Sequence, residues 1–120
     1  MTEFNSRGRP VFDARFVGAN SSYRAGRFMW RGMPVTRPSI ATGTSRGATT
    51  VYASWNGATQ VAGWRVLGGA SASGLRPVTT SRTTAFETDI RLPSGASFVA
   101  VQALDAHGHV LATSKTIGIS

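Results

Sequence analysis

From Thr49 to Ile119 apolar residues recur at every second position in strand-length runs, and each run ends in a turn signal. A period of two is what a half-buried strand needs, because successive side chains leave opposite faces of the pleat. Residues 49–55 (TTVYASW) place Val51, Ala53 and Trp55 on one face and Tyr52 and Ser54 on the other. Asn56-Gly57, the strongest short turn signal in the chain, follows. Residues 62–67 (AGWRVL) set Trp64 and Val66 against Arg65 and Leu67, and the glycine-rich 68–74 stretch reads as a flexible turn. Residues 75–81 contain Pro77, which removes a ladder donor and marks an edge strand. Residues 85–92 (AFETDIRL) point Phe86, Thr88, Ile90 and Leu92 inward and Glu87, Asp89 and Arg91 outward. Residues 97–104 (SFVAVQAL) alternate less cleanly, as a central strand covered on both faces would, and residues 110–119 form the last strand. No window sustains helical i, i+3, i+4 spacing, so the expected class is an all-β sandwich.

The first 37 residues differ in character. Residues 10–16 (PVFDARF) and 22–30 (SYRAGRFMW) read as two strands joined by a turn at 18–21, and Pro34 and Pro38 bracket an extended linker. Two strands alone are marginal in water, so this pair needs a neighbour. The expected organisation is therefore an N-terminal strand pair and linker over 1–37 and a sandwich over 38–120.

Charge separates the same two regions. Twelve of the thirteen basic residues are arginine, and seven of them (Arg7, Arg9, Arg15, Arg24, Arg27, Arg31, Arg37) lie in the first 37 residues against Glu3 and Asp13, a net +5 of the total +8. Such an arm suits an acidic surface, but no aromatic–basic stripe or nucleic-acid module accompanies it, so nucleic acid is not the expected partner. No apolar run approaches a membrane span, and the N-terminus shows no secretory signal. The chain has no cysteine, which excludes disulfides and thiolate chemistry.

Chemistry-bearing residues are few. His107 and His109 form His-Gly-His in a turn with Asp105 the one nearby acid; a metal site needs further ligands, and the expectation is two solvated turn residues with no metal and no cofactor. Glu87 and Asp89 share a strand face, with Arg65 or Arg91 as cross-strand partners, and read as solvated surface. The glycines at 68, 69 and 74 lack the spacing of a phosphate loop, and no nucleophile elbow is present. Among the aromatics, Trp55, Trp64, Phe86 and Phe98 are assigned to the core and Tyr52 to the outer face; the alternative use is a sugar-stacking platform.

From Ser54 to Ser114 the order of features resembles a fibronectin type III or immunoglobulin-like sandwich: Trp55 on the second strand, GATQVAGWRV (57–66) as the third, and LPSGASFVAVQALDAHG (92–108) as the corner and following strand. Phe98 stands where that fold has a tyrosine, so the corner's hydroxyl bond is missing. A second resemblance covers most of the chain. The blocks FDARF (12–16), SYRAGRFMWRGMP (22–34), TTVYASWNGATQVAGWRVL (49–67), FETDI (86–90) and FVAVQALDAHGHVLATS (98–114) look like the C-terminal end of actinobacterial arylsulfotransferase-family proteins. That resemblance implies that residues 1–37 correspond to the last strands of a β-propeller and that Tyr23, Arg24, Arg27, Phe28 and Trp30 dock on it. It also implies a secreted or cell-envelope setting. The family's catalytic residues lie in the propeller, so no catalytic residue carries over. The expected function is a non-catalytic structural or interaction module. Its expected partner is a propeller domain or a second copy meeting it through residues 10–30. The alternatives are a carbohydrate- or anionic-surface-binding module, and part of an arylsulfotransferase whose propeller is not on this chain.

Overall fold

A computed structural model describes residues 1–20, 24, 26 and 28–119. Among these residues there is no helix, and the strands are antiparallel throughout. β1 (Thr2–Phe4) and β2 (Pro10–Asp13) form a two-stranded ribbon; β3 (Ser39–Ser45), β4 (Ala48–Ser54) and β7 (Glu87–Arg91) form one sheet in the order β3-β4-β7. The facing sheet runs β10-β8-β5-β6, from β5 (Gly63–Gly69), β6 (Arg76–Arg82), β8 (Phe98–Leu104) and β10 (Ile117–Gly118), with β9 (Val110–Thr113) also pairing β8.

Each inward face is built from directly opposed cross-strand pairs. In the smaller sheet Val51 faces Ile90 and Ala53 faces Thr88; in the larger, Trp64 faces Ala103 and Val66 faces Val101. These residues, with Trp55, Leu92 and Val99, make the shared core between the layers, and such opposed pairs are the unit of sheet stabilisation. Thr88 is buried with them, and its hydroxyl accepts a 3.3 Å bond from the Thr84 N–H. The Trp64 indole nitrogen is also buried, without a hydrogen-bond partner among the described residues. An orphaned donor of this kind costs about 1–3 kcal/mol.

The alternation located β4, β5, β7 and β8, and Pro77 lies on the edge strand β6, where the register slips between Val66 and Leu67. Other readings are corrected. Residues 39–45 form β3, joined to β4 by a tight turn in which Arg46 (φ 50°) and Gly47 (φ 74°) are both left-handed. That is the backbone a two-residue hairpin of matching twist demands. The Asn56-Gly57 turn carries the chain from one sheet to the other rather than closing a hairpin, and Gly68 and Gly69 belong to β5. Arg65 lies in the opposite sheet from Glu87 and Asp89, where its Nη1 donates to Gln102 Oε1 at 3.3 Å. The last strand is interrupted at Ser114, whose Oγ takes the Val101 N–H at 2.9 Å in place of a ladder carbonyl. Phe86 is 72% exposed and outside the core, because β7 begins only at Glu87; Phe98 is half-buried.

Tyr52, on the outer face, is half-buried: a side chain at Gly43 would meet its ring at 3.3 Å, so the ring covers a glycine on the neighbouring strand. No helix among the described residues is long and apolar enough to cross a membrane.

Candidate docking surface

β2 pairs with the extreme N-terminus, β1, while residues 22, 23, 25 and 27 of the expected 22–30 strand lie outside the described residues. The Met1 ammonium donates to the Ala14 carbonyl at 2.6 Å, the Ala14 N–H returns to the Met1 carbonyl at 2.9 Å, and Thr2 Oγ1 donates to Asp13 Oδ1 at 2.7 Å. The connecting loop is organised by Asn5, whose Oδ1 accepts the N–H groups of Arg7 and Arg9 at 2.9 and 3.0 Å. Side-chain acceptors of this type fix a turn without a ladder. Arg15 pairs with Asp13 at 3.1 Å on the exposed surface. Among the described strands the ribbon pairs only with itself.

Of the proposed docking residues, Tyr23 and Arg27 lie outside the described residues. Arg24 lines a groove of about 790 Å³ with Met1, Phe12, Ala14, Arg15, Phe16 and Gly26. Phe28 is exposed, and Trp30 is 69% exposed. Residues 28–37 form no strand and are tied to the sandwich through Gly32 and Thr36. Trp30 there borders a groove of about 320 Å³ with Trp55, Trp64 and Phe86. The structure thus divides the surface: Arg24 belongs with the ribbon and Trp30 with the sandwich end.

Two attachments that local sequence did not signal hold this segment down. The Gly32 N–H donates to Thr59 Oγ1 at 2.9 Å and the Thr59 N–H returns to the Gly32 carbonyl at 3.1 Å. The Trp55 indole N–H donates to the Thr36 carbonyl at 2.9 Å. Gly32 is required by approach: a methyl there would collide with the Gly57 carbonyl oxygen. Only the pairing of residues distant in sequence reveals these contacts.

The surface carried by the lead-in is apolar as well as basic. Met1, Phe4, Val11, Phe12, Phe16, Val17, Phe28, Met29, Trp30, Met33 and Val35 are exposed, whereas in the sandwich the exposed large apolar residues are Val78, Phe86 and Val110. Among the described residues, exposure of large apolar side chains is thus concentrated before Pro38. Compared with known proteins, the chain finds no match: no protein family, no curated protein and no solved structure is similar to it.

Proposed function

We propose that the chain is a non-catalytic β-sandwich module of the fibronectin type III kind, whose Arg-rich lead-in docks on a β-propeller, as at the C-terminal end of arylsulfotransferase-family proteins. The single observation that carries the docking is the concentration of exposed apolar side chains before Pro38. Two further features support the reading. The strands β3 to β8 plus the interrupted last strand make seven, divided between two antiparallel sheets, the count and layering of immunoglobulin-like sandwiches. The net +5 of the first 37 residues suits an acidic partner face.

The test is titration of the full chain with a separately produced propeller of that family, read by calorimetry. Saturable binding, weakened at least about tenfold by Phe28→Ser with Trp30→Ser, is expected, since exposed aromatic anchors dominate such interfaces. Absence of binding at about 100 µM, or binding indifferent to both substitutions, contradicts the docking. Retention on heparin at physiological salt in place of propeller binding favours the anionic-surface alternative. Measurable aryl-sulfate transfer by this chain overturns the non-catalytic reading.

A further inference from the structure

The hairpin between β8 and β9 closes through five residues, Asp-Ala-His-Gly-His, and its geometry gathers three donors. The Asp105 N–H donates to the His109 carbonyl at 3.0 Å, the Gly108 N–H to the Asp105 carbonyl at 3.1 Å, and Gly108 takes φ 83°. Asp105 Oδ1 accepts the N–H groups of His107 at 2.8 Å and His109 at 2.9 Å. One carboxylate oxygen is therefore committed to the turn, and the other, Oδ2, lies 3.0 Å from His109 Nδ1. The His107 and His109 rings are stacked with centroids 5.9 Å apart. One donor atom from each of the three residues lies within 4.8 Å of the others.

We propose that this loop is a binding site for a divalent d-block cation, held by Asp105 Oδ2 and the two imidazoles. The 3.0 Å separation of Oδ2 from Nδ1 is that of two donors each about 2.1 Å from one ion and about 90° apart. The cation takes the place of the Nδ1–Oδ2 hydrogen bond, with the neutral His109 imidazole then carrying its proton on Nε2. His107 and His109 are both exposed, so they close on the ion by side-chain rotation, with no cost to the core. Two nitrogens and one carboxylate oxygen suit zinc, nickel, cobalt or copper rather than calcium or magnesium. Three protein donors leave coordination positions for water or an outside ligand. Asp105 and His107 also line a groove of about 650 Å³ with Met29, Trp30 and Arg31, which puts the ion beside the lead-in.

The experiment is titration of the full chain with nickel or zinc chloride alone at pH 7.5, followed by calorimetry and by amide NMR. Saturable one-to-one binding with resonance changes confined to residues 104–110 is expected. His107→Ala and His109→Ala each lower the affinity at least about tenfold, the smallest loss that even outer-shell changes produce. Asp105→Asn retains an oxygen to accept the two turn N–H groups but removes the anionic donor; loss of binding with an unchanged loop spectrum assigns Asp105 as a ligand rather than a brace. No saturation by about 1 mM metal, or undiminished binding by the double histidine variant, overturns the proposal.

Discussion

The indole N–H of Trp55, a core residue, donates to the main-chain carbonyl of Thr36 at 2.9 Å, so the sandwich grips the last residues of its own lead-in. The organisation expected from sequence divides the chain between residues 37 and 38, but this bond crosses that line. Trp55→Phe keeps an aromatic ring in the core and deletes the donor. It is expected to cost about 2 kcal/mol, a hydrogen bond plus part of a buried ring, measured by urea unfolding. Trp55→Ala is expected to cost about 3–5 kcal/mol.

Gly32→Ala tests the second attachment. The added methyl meets a main-chain oxygen, that of Gly57, which cannot swing aside. The segment must lift, breaking both bonds to Thr59. The expected result is faster hydrogen exchange at the Thr59 amide and a loss of about 1 kcal/mol, with the core amides of β8 unchanged. Wild-type protection at Thr59 contradicts it.

Ser114 is buried where the last strand breaks, and its hydroxyl both accepts from Val101 N–H and donates to the Lys115 carbonyl. Ser114→Ala strands a buried backbone N–H, at a cost of about 1–3 kcal/mol. The urea midpoint should fall with the slope unchanged, and Ser114→Thr, which keeps the hydroxyl, should retain most of the stability.

The Asp105 carboxyl is held below the ordinary aspartate range, chiefly by the backbone N–H of His109, with the His109 side chain and the His107 N–H adding to it. A lowered folded value means the loop's stabilisation is complete above the ordinary aspartate value and is lost as pH falls through the lowered one. NMR titration of the Asp105 side chain should give a midpoint below that of free aspartate. Exchange at the His107 and His109 amides should quicken over the same window, and Asp105→Asn should abolish that dependence. A midpoint at or above the ordinary value contradicts the account.

What was legible in the sequence follows from which faces are buried. β4 and β7 each bury one face against the opposite sheet, so their apolar residues fall at period two and were found; β8 is buried at Val99, Ala100, Val101, Ala103 and Leu104, on both faces, and was found by its near-continuous apolar run. β3 is built from Ser, Ala, Thr and Gly around Ile40 and turns through Arg46-Gly47, so neither its pattern nor its turn residue announced a strand. Phe86 has the parity of Thr88 and Ile90 but stands one residue before the ladder begins; alternation gives the face of a side chain, not whether the opposite layer extends far enough to cover it. The docking residues were chosen by resemblance, and the contacts of Gly32 with Thr59 and Thr36 with Trp55 join residues too far apart for any local signal. The Asp105–His109 donors were individually visible, but the carboxylate's two-amide grip, which brings them together, is a property of the folded loop.

The central claim is that the sandwich holds itself together and the lead-in is surface for another body. Among the described residues, the core cluster and the apolar side chains packed on it include none before Ile40. Thermal melts of residues 1–120 and 32–120, the shorter chain keeping both Gly32 and Thr36, measure this directly. The account predicts midpoints within about 5 °C, a difference under about 1 kcal/mol for a domain of this size. A fall of about 15 °C or more in the shorter chain would make residues 1–31 part of the core's own stability and contradict it.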